Sequence, residues 1–145
     1  MDFLKNIRRL LPAFLLSLVL SPAASADHRL VVVANTGGKT MTLSREQVRN
    51  LFMGASLGYD FNPVSLPPHH HLRLMFNTQV IGLSESRIQS YWSQMKFTGR
   101  LRPPKELSSQ TDILQFISES RGNVGYLPDT AEIPATLTVV YATDF

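Results

Sequence analysis

The residues with the greatest chemical capacity lie in two short stretches. His69, His70 and His71 are consecutive and, with His28, are all 4 histidines of the chain; Arg73 follows closely. Imidazoles protonated at acidic pH can contact an anion, and a guanidinium can fork onto a carboxylate or phosphate. The same histidines could instead form a solvated loop beside Pro67 and Pro68. A metal site has no ligand spacing behind it, because sequence neighbours rarely aim at one ion and neither an i, i+4 His pair nor a Cys accompanies them. Arg73 could equally close a structural ion pair with Asp60 or Glu85. The second stretch, Asn35-Thr36-Gly37-Gly38, follows an apolar run. Its glycine backbone and hydroxyl could cradle an oxyanion, or it could be a plain turn. It lacks the third Gly and the Lys-Ser/Thr of a nucleotide loop. The expected ligand-binding residues are therefore Asn35, Thr36, Gly37, His70, His71 and Arg73, with no metal and no cofactor.

Catalysis needs a nucleophile–base or carboxylate pair in a recognisable frame. The chain has no G-x-S-x-G, no H-E-x-x-H and no Cys. A binding module is expected rather than an enzyme.

The elements that must position these residues are legible in turn. Arg29 to Ala34 is a continuous β-branched run and reads as a buried strand. Ser44 and Gln47 stand in capping-box spacing, Leu43 and Val48 in staple spacing, and Gly54 supplies a left-handed stop, which predicts a helix carrying Val48, Leu51 and Phe52. Residues 62–66 predict a short strand ending at Pro67. A helix from about His70 places Leu72, Phe76 and Val80 on one face. Ser84 predicts the cap of another, striped with Ile88, Tyr91, Trp92 and Met95 and ended by Gly99; Tyr91, Trp92 and Phe97 are expected in the core rather than as a stacking site. After an extended connector at Arg102-Pro103-Pro104, Ser109 or Thr111 opens a helix bearing Ile113, Leu114, Phe116 and Ile117. Gly122 and Gly125 are expected to serve a tight turn and a strand over residues 124–127. Residues 137–141 form a last β run. Strands alternating with helices predict an α/β layered domain.

The N-terminus reads as a secretory leader. Lys5, Arg8 and Arg9 precede an apolar run over residues 10–20, and Ala24-Ser25-Ala26 offers small residues for cleavage. That run is about half the length a membrane span needs. The expectation is a signal peptide at residues 1–26, removed to leave one domain at 27–145, located in the periplasm and with no membrane span after cleavage. Losing Lys5, Arg8, Arg9 and Asp2 lowers the formal charge from +3 to +1. No electrostatic case for nucleic acid survives. With 0 Cys, stability must come from an apolar core.

Several of these segments, in order, carry a resemblance. Leu43-Ser44-Arg45-Glu46-Gln47-Val48 through Leu51-Phe52-Met53-Gly54 resembles a helix of phosphate-binding-protein-like domains. So do Pro63-Val64 followed by Leu72-Arg73 and Phe76, Tyr91-Trp92 through Phe97-Thr98-Gly99 with Pro103-Pro104, and Gly122-Asn123-Val124-Gly125-Tyr126. The match spans residues 30–141 and resembles short relatives of the phosphate ABC transporter substrate-binding protein, in the type 2 periplasmic-binding-protein superfamily. The resemblance implies a single lobe, a central mixed sheet with helices packed on both faces, where full-length members clasp an oxyanion between two. The Ser-Gly-Thr loop with which the family holds its anion falls here on His70-His71-Leu72, without hydroxyls. The resemblance implies a small oxyanion as ligand for ABC transport or sensing. The alternative is a regulatory module that docks on an envelope partner, a transporter or sensor domain, without binding phosphate.

Overall fold

Ser44 fixes the start of the first helix by reciprocal bonds. Its hydroxyl accepts from the Gln47 N–H at 3.1 Å, while Gln47 Oε1 accepts from the Ser44 N–H at 2.8 Å. Two donors that helix geometry leaves without partners are thereby satisfied. The resulting α1 (Arg45–Phe52) buries Val48, Leu51 and Phe52. The computed structural model describes residues 29–99 and 101–144; the expected leader at residues 1–26 lies outside them.

The chain continues from β1 (Leu30–Ala34) and α1 to β2 (Asn62–Ser65) and α2 (His71–Phe76), which runs into a π-helical segment, Asn77–Ile81. Gly82 stops that segment at φ +74°. Ser84 caps α3 (Glu85–Thr98), and Gly99 ends it at φ +68°. Then follow β3 (Lys105–Glu106), α4 (Gln110–Glu119) capped by Ser109, β4 (Asn123–Pro128) and β5 (Thr138–Ala142).

The five strands form one sheet in the order β3-β2-β4-β1-β5. β2 pairs parallel with β3 and β4, whereas β1 pairs antiparallel with β4 and β5. The sheet is therefore mixed, and β1 alone runs against the other four strands.

Alternation along β4 shows that both faces are covered. Gly125 faces α4 so closely that a Cβ there would lie 2.8 Å from Ile113 Cγ2 and 3.3 Å from Ile117 Cδ1. Tyr126, the next residue, points to the opposite face, as strand pleat requires. Its ring stacks on Phe76 at 4.1 Å and tilts against Phe52 at 6.0 Å, so α1 and α2 cover that side. The expected architecture, helices on both faces of a mixed sheet, is the one observed. Each fully buried Val, Leu or Ile in this core contributes about 1.5–3 kcal/mol.

One sequence expectation needs correction, and one strand was not anticipated. Phe97, expected in the core, is 95 % exposed. It lies five residues beyond Trp92, about 140° around the helix from the Ile88–Trp92 stripe. The connector at residues 102–104 leads into the unanticipated β3. Pro103 and Pro104 carry no N–H, so pairing begins only at Lys105, opposite Val64 on the sheet edge.

Candidate functional site

The reversed direction of β1 decides where the expected ligand residues fall. Open α/β sheets place ligands outside the carboxyl ends of their parallel strands. Asn35, Thr36 and Gly37 do follow the carboxyl end of β1, but β1 pairs Ala34 with Val124 at the start of β4. They thus lie at the amino ends of the other strands, whereas His70, His71 and Arg73 follow the carboxyl end of β2. The two stretches sit at opposite ends of the sheet. The structure does not bring them into one site.

The polar groups of the first stretch are engaged within the fold. Asn35 Nδ2 donates to the Ile117 carbonyl at 3.1 Å, and Asn35 Oδ1 accepts from the Gly37 N–H at 3.3 Å. The Thr36 hydroxyl donates to the Lys39 carbonyl at 2.6 Å and meets the Thr138 hydroxyl at 2.8 Å. Gly37 takes φ +66°, which a side chain would strain. These contacts are those of a turn.

At the other end, His70 caps α2. Its Nδ1 accepts from the Leu72 N–H at 3.2 Å, which requires Nδ1 to be unprotonated. Burial, and then the neighbouring His71, hold the His70 imidazole below its ordinary pKa. The His71 ring stacks on it at 5.0 Å. A protonated His70 would lose its cap, so an anion contact through this imidazolium competes with the start of α2.

Arg73 is 7 % exposed and is the hub of a buried polar cluster. Its Nε donates to Glu85 Oε2 at 3.0 Å and its Nη2 to Glu85 Oε1 at 2.6 Å. Its Nη1 donates to the Leu66 carbonyl at 2.8 Å and to Glu106 Oε1 at 2.9 Å. Of the two structural partners open in the sequence, Glu85 is the one reached. Burial opposes the charge on Arg73, but the bonds to Glu85 and then Glu106 win and hold its pKa above the ordinary value. Asn77 Nδ2 donates to Glu85 Oε2 at 2.7 Å. Beside them the Tyr126 hydroxyl meets the Ser65 hydroxyl at 2.8 Å and accepts from the Leu66 N–H at 3.1 Å. Burial pushes the Tyr126 pKa up, so it stays a neutral phenol.

This cluster forms one wall of a cavity of about 160 Å³ beneath α3, with Ser65, Arg73, Asn77 and Glu106 facing Trp92 and Lys96. Sequence reasoning did not select Glu106, Asn77, Ser65 or Tyr126. Glu106 and Tyr126 arrive through strand pairing with β2, which no local signal encodes. Among the described residues, no group of three or more His, Asp or Glu could hold a metal ion, and no helix is long and apolar enough to cross a membrane.

Comparison with known proteins is confined to fold. No family model and no curated protein sequence matches the chain. Among solved structures, it is similar to an ABC-type phosphate transport receptor from Vibrio cholerae, with a TM-score of 0.57 and 12 % identity. The likeness covers 78 % of this chain and 45 % of the receptor, so the chain spans less than half of the receptor's length. With its mixed five-stranded sheet and helices on both faces, the chain has the fold of a single periplasmic-binding-protein-like lobe.

Proposed function

We propose that this chain is an exported, single-lobe, substrate-binding-protein-like module that docks on an envelope partner, a transporter or sensor domain, and does not itself clasp phosphate. The leader at residues 1–26 would deliver it to the periplasm as a domain spanning 27–145. The reading is of a binding module and assigns it no catalytic step. It rests chiefly on Arg73. Nε, Nη2 and both N–H groups of Nη1 are engaged by Glu85, Glu106 and the Leu66 carbonyl, so two carboxylates already neutralise the cation nearest the ligand-binding end. A free oxyanion would have to displace one of them.

Calorimetry of the protein with inorganic phosphate and sulfate tests this reading, with no heat of binding expected up to millimolar concentration. Sub-millimolar phosphate binding that disappears in Arg73→Gln would reinstate the oxyanion reading. That second reading draws support from His69, His70 and His71 at the carboxyl end of β2. N-terminal sequencing of the protein from a periplasmic fraction tests export; a chain starting before Asp27 would refute the cleavage site.

A further inference from the structure

The end of the sheet away from Arg73 carries a groove of about 290 Å³, walled by Met41, Tyr59 and Phe61 and bordered by Lys39, Asp60 and Arg121. Its floor is fixed by backbone. The Gly122 N–H donates to the Asn35 carbonyl at 2.8 Å, and the Gly122 carbonyl accepts from the Asn62 N–H at 2.9 Å. Gly122 has φ +93°, and its Cα lies so close to the Asp60 carbonyl oxygen that a Cβ would collide with it. The 59–61 turn is thereby held against the start of β4, with the Phe61 N–H donating to the Tyr59 carbonyl at 3.0 Å. The two rings lie 5.5 Å apart at 48°, and Tyr59 is 55 % exposed although its backbone is held by this turn.

The cations here differ from Arg73. Arg121 lies with its guanidinium over Gly37, in the space a Cβ would fill. Among the described residues, neither Arg121 nor Lys39 has a carboxylate within ion-pair distance or a side-chain hydrogen bond. Two unpaired cations against one carboxylate, Asp60, leave the rim with net positive charge. A preorganised aromatic wall beside an unpaired guanidinium suits a ligand with an apolar body and an anionic head.

We propose that this groove binds a small aromatic carboxylate, its ring against Tyr59 and Phe61 and its carboxylate on Arg121, with Lys39 as a second cation. The site is separate from the Arg73 end and does not depend on the docking function proposed above.

Titration of the protein with benzoate, benzamide and inorganic phosphate, followed by the ring resonances of Tyr59 and Phe61, tests the proposal. Benzoate is expected to shift both rings, benzamide to bind about tenfold more weakly, and phosphate to leave the rings unmoved. Arg121→Gln, an exposed position, should weaken benzoate about tenfold without lowering the melting temperature. Lys39→Gln should weaken it less, and Tyr59→Ala should weaken benzoate and benzamide alike. No shift with benzoate, equal binding of benzoate and benzamide, or unchanged binding in Arg121→Gln would each overturn the assignment. Phosphate competing at equal concentration would show a bare-anion site and overturn it too. Phosphate bound at the Arg73 end would leave both rings unmoved, which separates this outcome from any result at the other end.

Discussion

Arg73 holds both carboxylate oxygens of Glu85 in a fork, Nε to Oε2 at 3.0 Å and Nη2 to Oε1 at 2.6 Å, joining α2 to the first turn of α3. The Arg73 side chain is 8 % exposed and that of Glu85 20 %. Removing one member of such a pair leaves the other charge poorly solvated, which costs more than the pair gains over neutral replacements. Arg73→Met should therefore lower stability by about 3 kcal/mol in urea unfolding. The double variant with Glu85→Gln should recover part of that loss, giving a coupling above about 1 kcal/mol. Strict additivity would show that the fork is not an energetic unit.

The same pair predicts a pH dependence. Burial alone would raise the Glu85 carboxyl, but hydrogen bonds from Arg73, Gln89 and Asn77, together with the Arg73 charge, hold it below its ordinary value of 4.5. The unfolded chain then takes up this proton at a higher pH than the folded one. The contribution is fully present above pH 4.5 and fades as pH falls through the lower, folded value. The urea midpoint should drop between pH 5 and 3, and the drop should be shallower in Glu85→Gln. Parallel pH profiles for the two proteins would contradict this.

Tyr126 carries its own consequence. Its hydroxyl accepts from the Leu66 N–H at 3.1 Å and meets the Ser65 hydroxyl at 2.8 Å, while its ring stacks on Phe76. Tyr126→Phe keeps the stacking and leaves a buried N–H without a partner, at a cost of about 1–3 kcal/mol. Faster hydrogen exchange at the Leu66 amide should accompany the loss. A variant as stable as the parent would mean that the Leu66 N–H finds another acceptor.

Gly122 combines two constraints, φ +93° and the Asp60 carbonyl where a Cβ would sit. Gly122→Ala should cost more than about 2 kcal/mol, because the obstacle is backbone and cannot rotate away. Gly38→Ala is the comparison: it also has positive φ, at +86°, but nothing within 4 Å of the added Cβ. It should cost about 1 kcal/mol, the conformational part alone. Equal losses would show that the close approach at Gly122 relaxes.

Much of the fold was legible because its signals are local. The Ser44–Gln47 box, the Ser84 and Ser109 caps, the Gly99 stop and the runs at residues 29–34 and 137–141 each depend on neighbours a few positions away. Phe97 failed because helical phase accumulates 100° per residue, and a ring one position off a stripe faces water. The candidate site was harder to read. Arg73 and its possible partner Glu85 could be named from sequence, since both sit on consecutive helical segments. Glu106, Ser65 and Tyr126 come together only when β2 lies between β3 and β4.

By itself, the sequence determined which segments become α1 to α4 and strands β1, β2, β4 and β5, though neither β3 nor the outward face of Phe97, since caps, periodicity and glycine dihedrals act within a turn or two of chain. Tertiary structure alone decided that β1 runs against its four companions. An isolated apolar run has the same inward and outward pattern in either direction, and only its hydrogen-bonded neighbours fix which end meets which. That single reversal places Asn35, Thr36 and Gly37 at the end opposite Arg73 and gives the chain two separate polar surfaces.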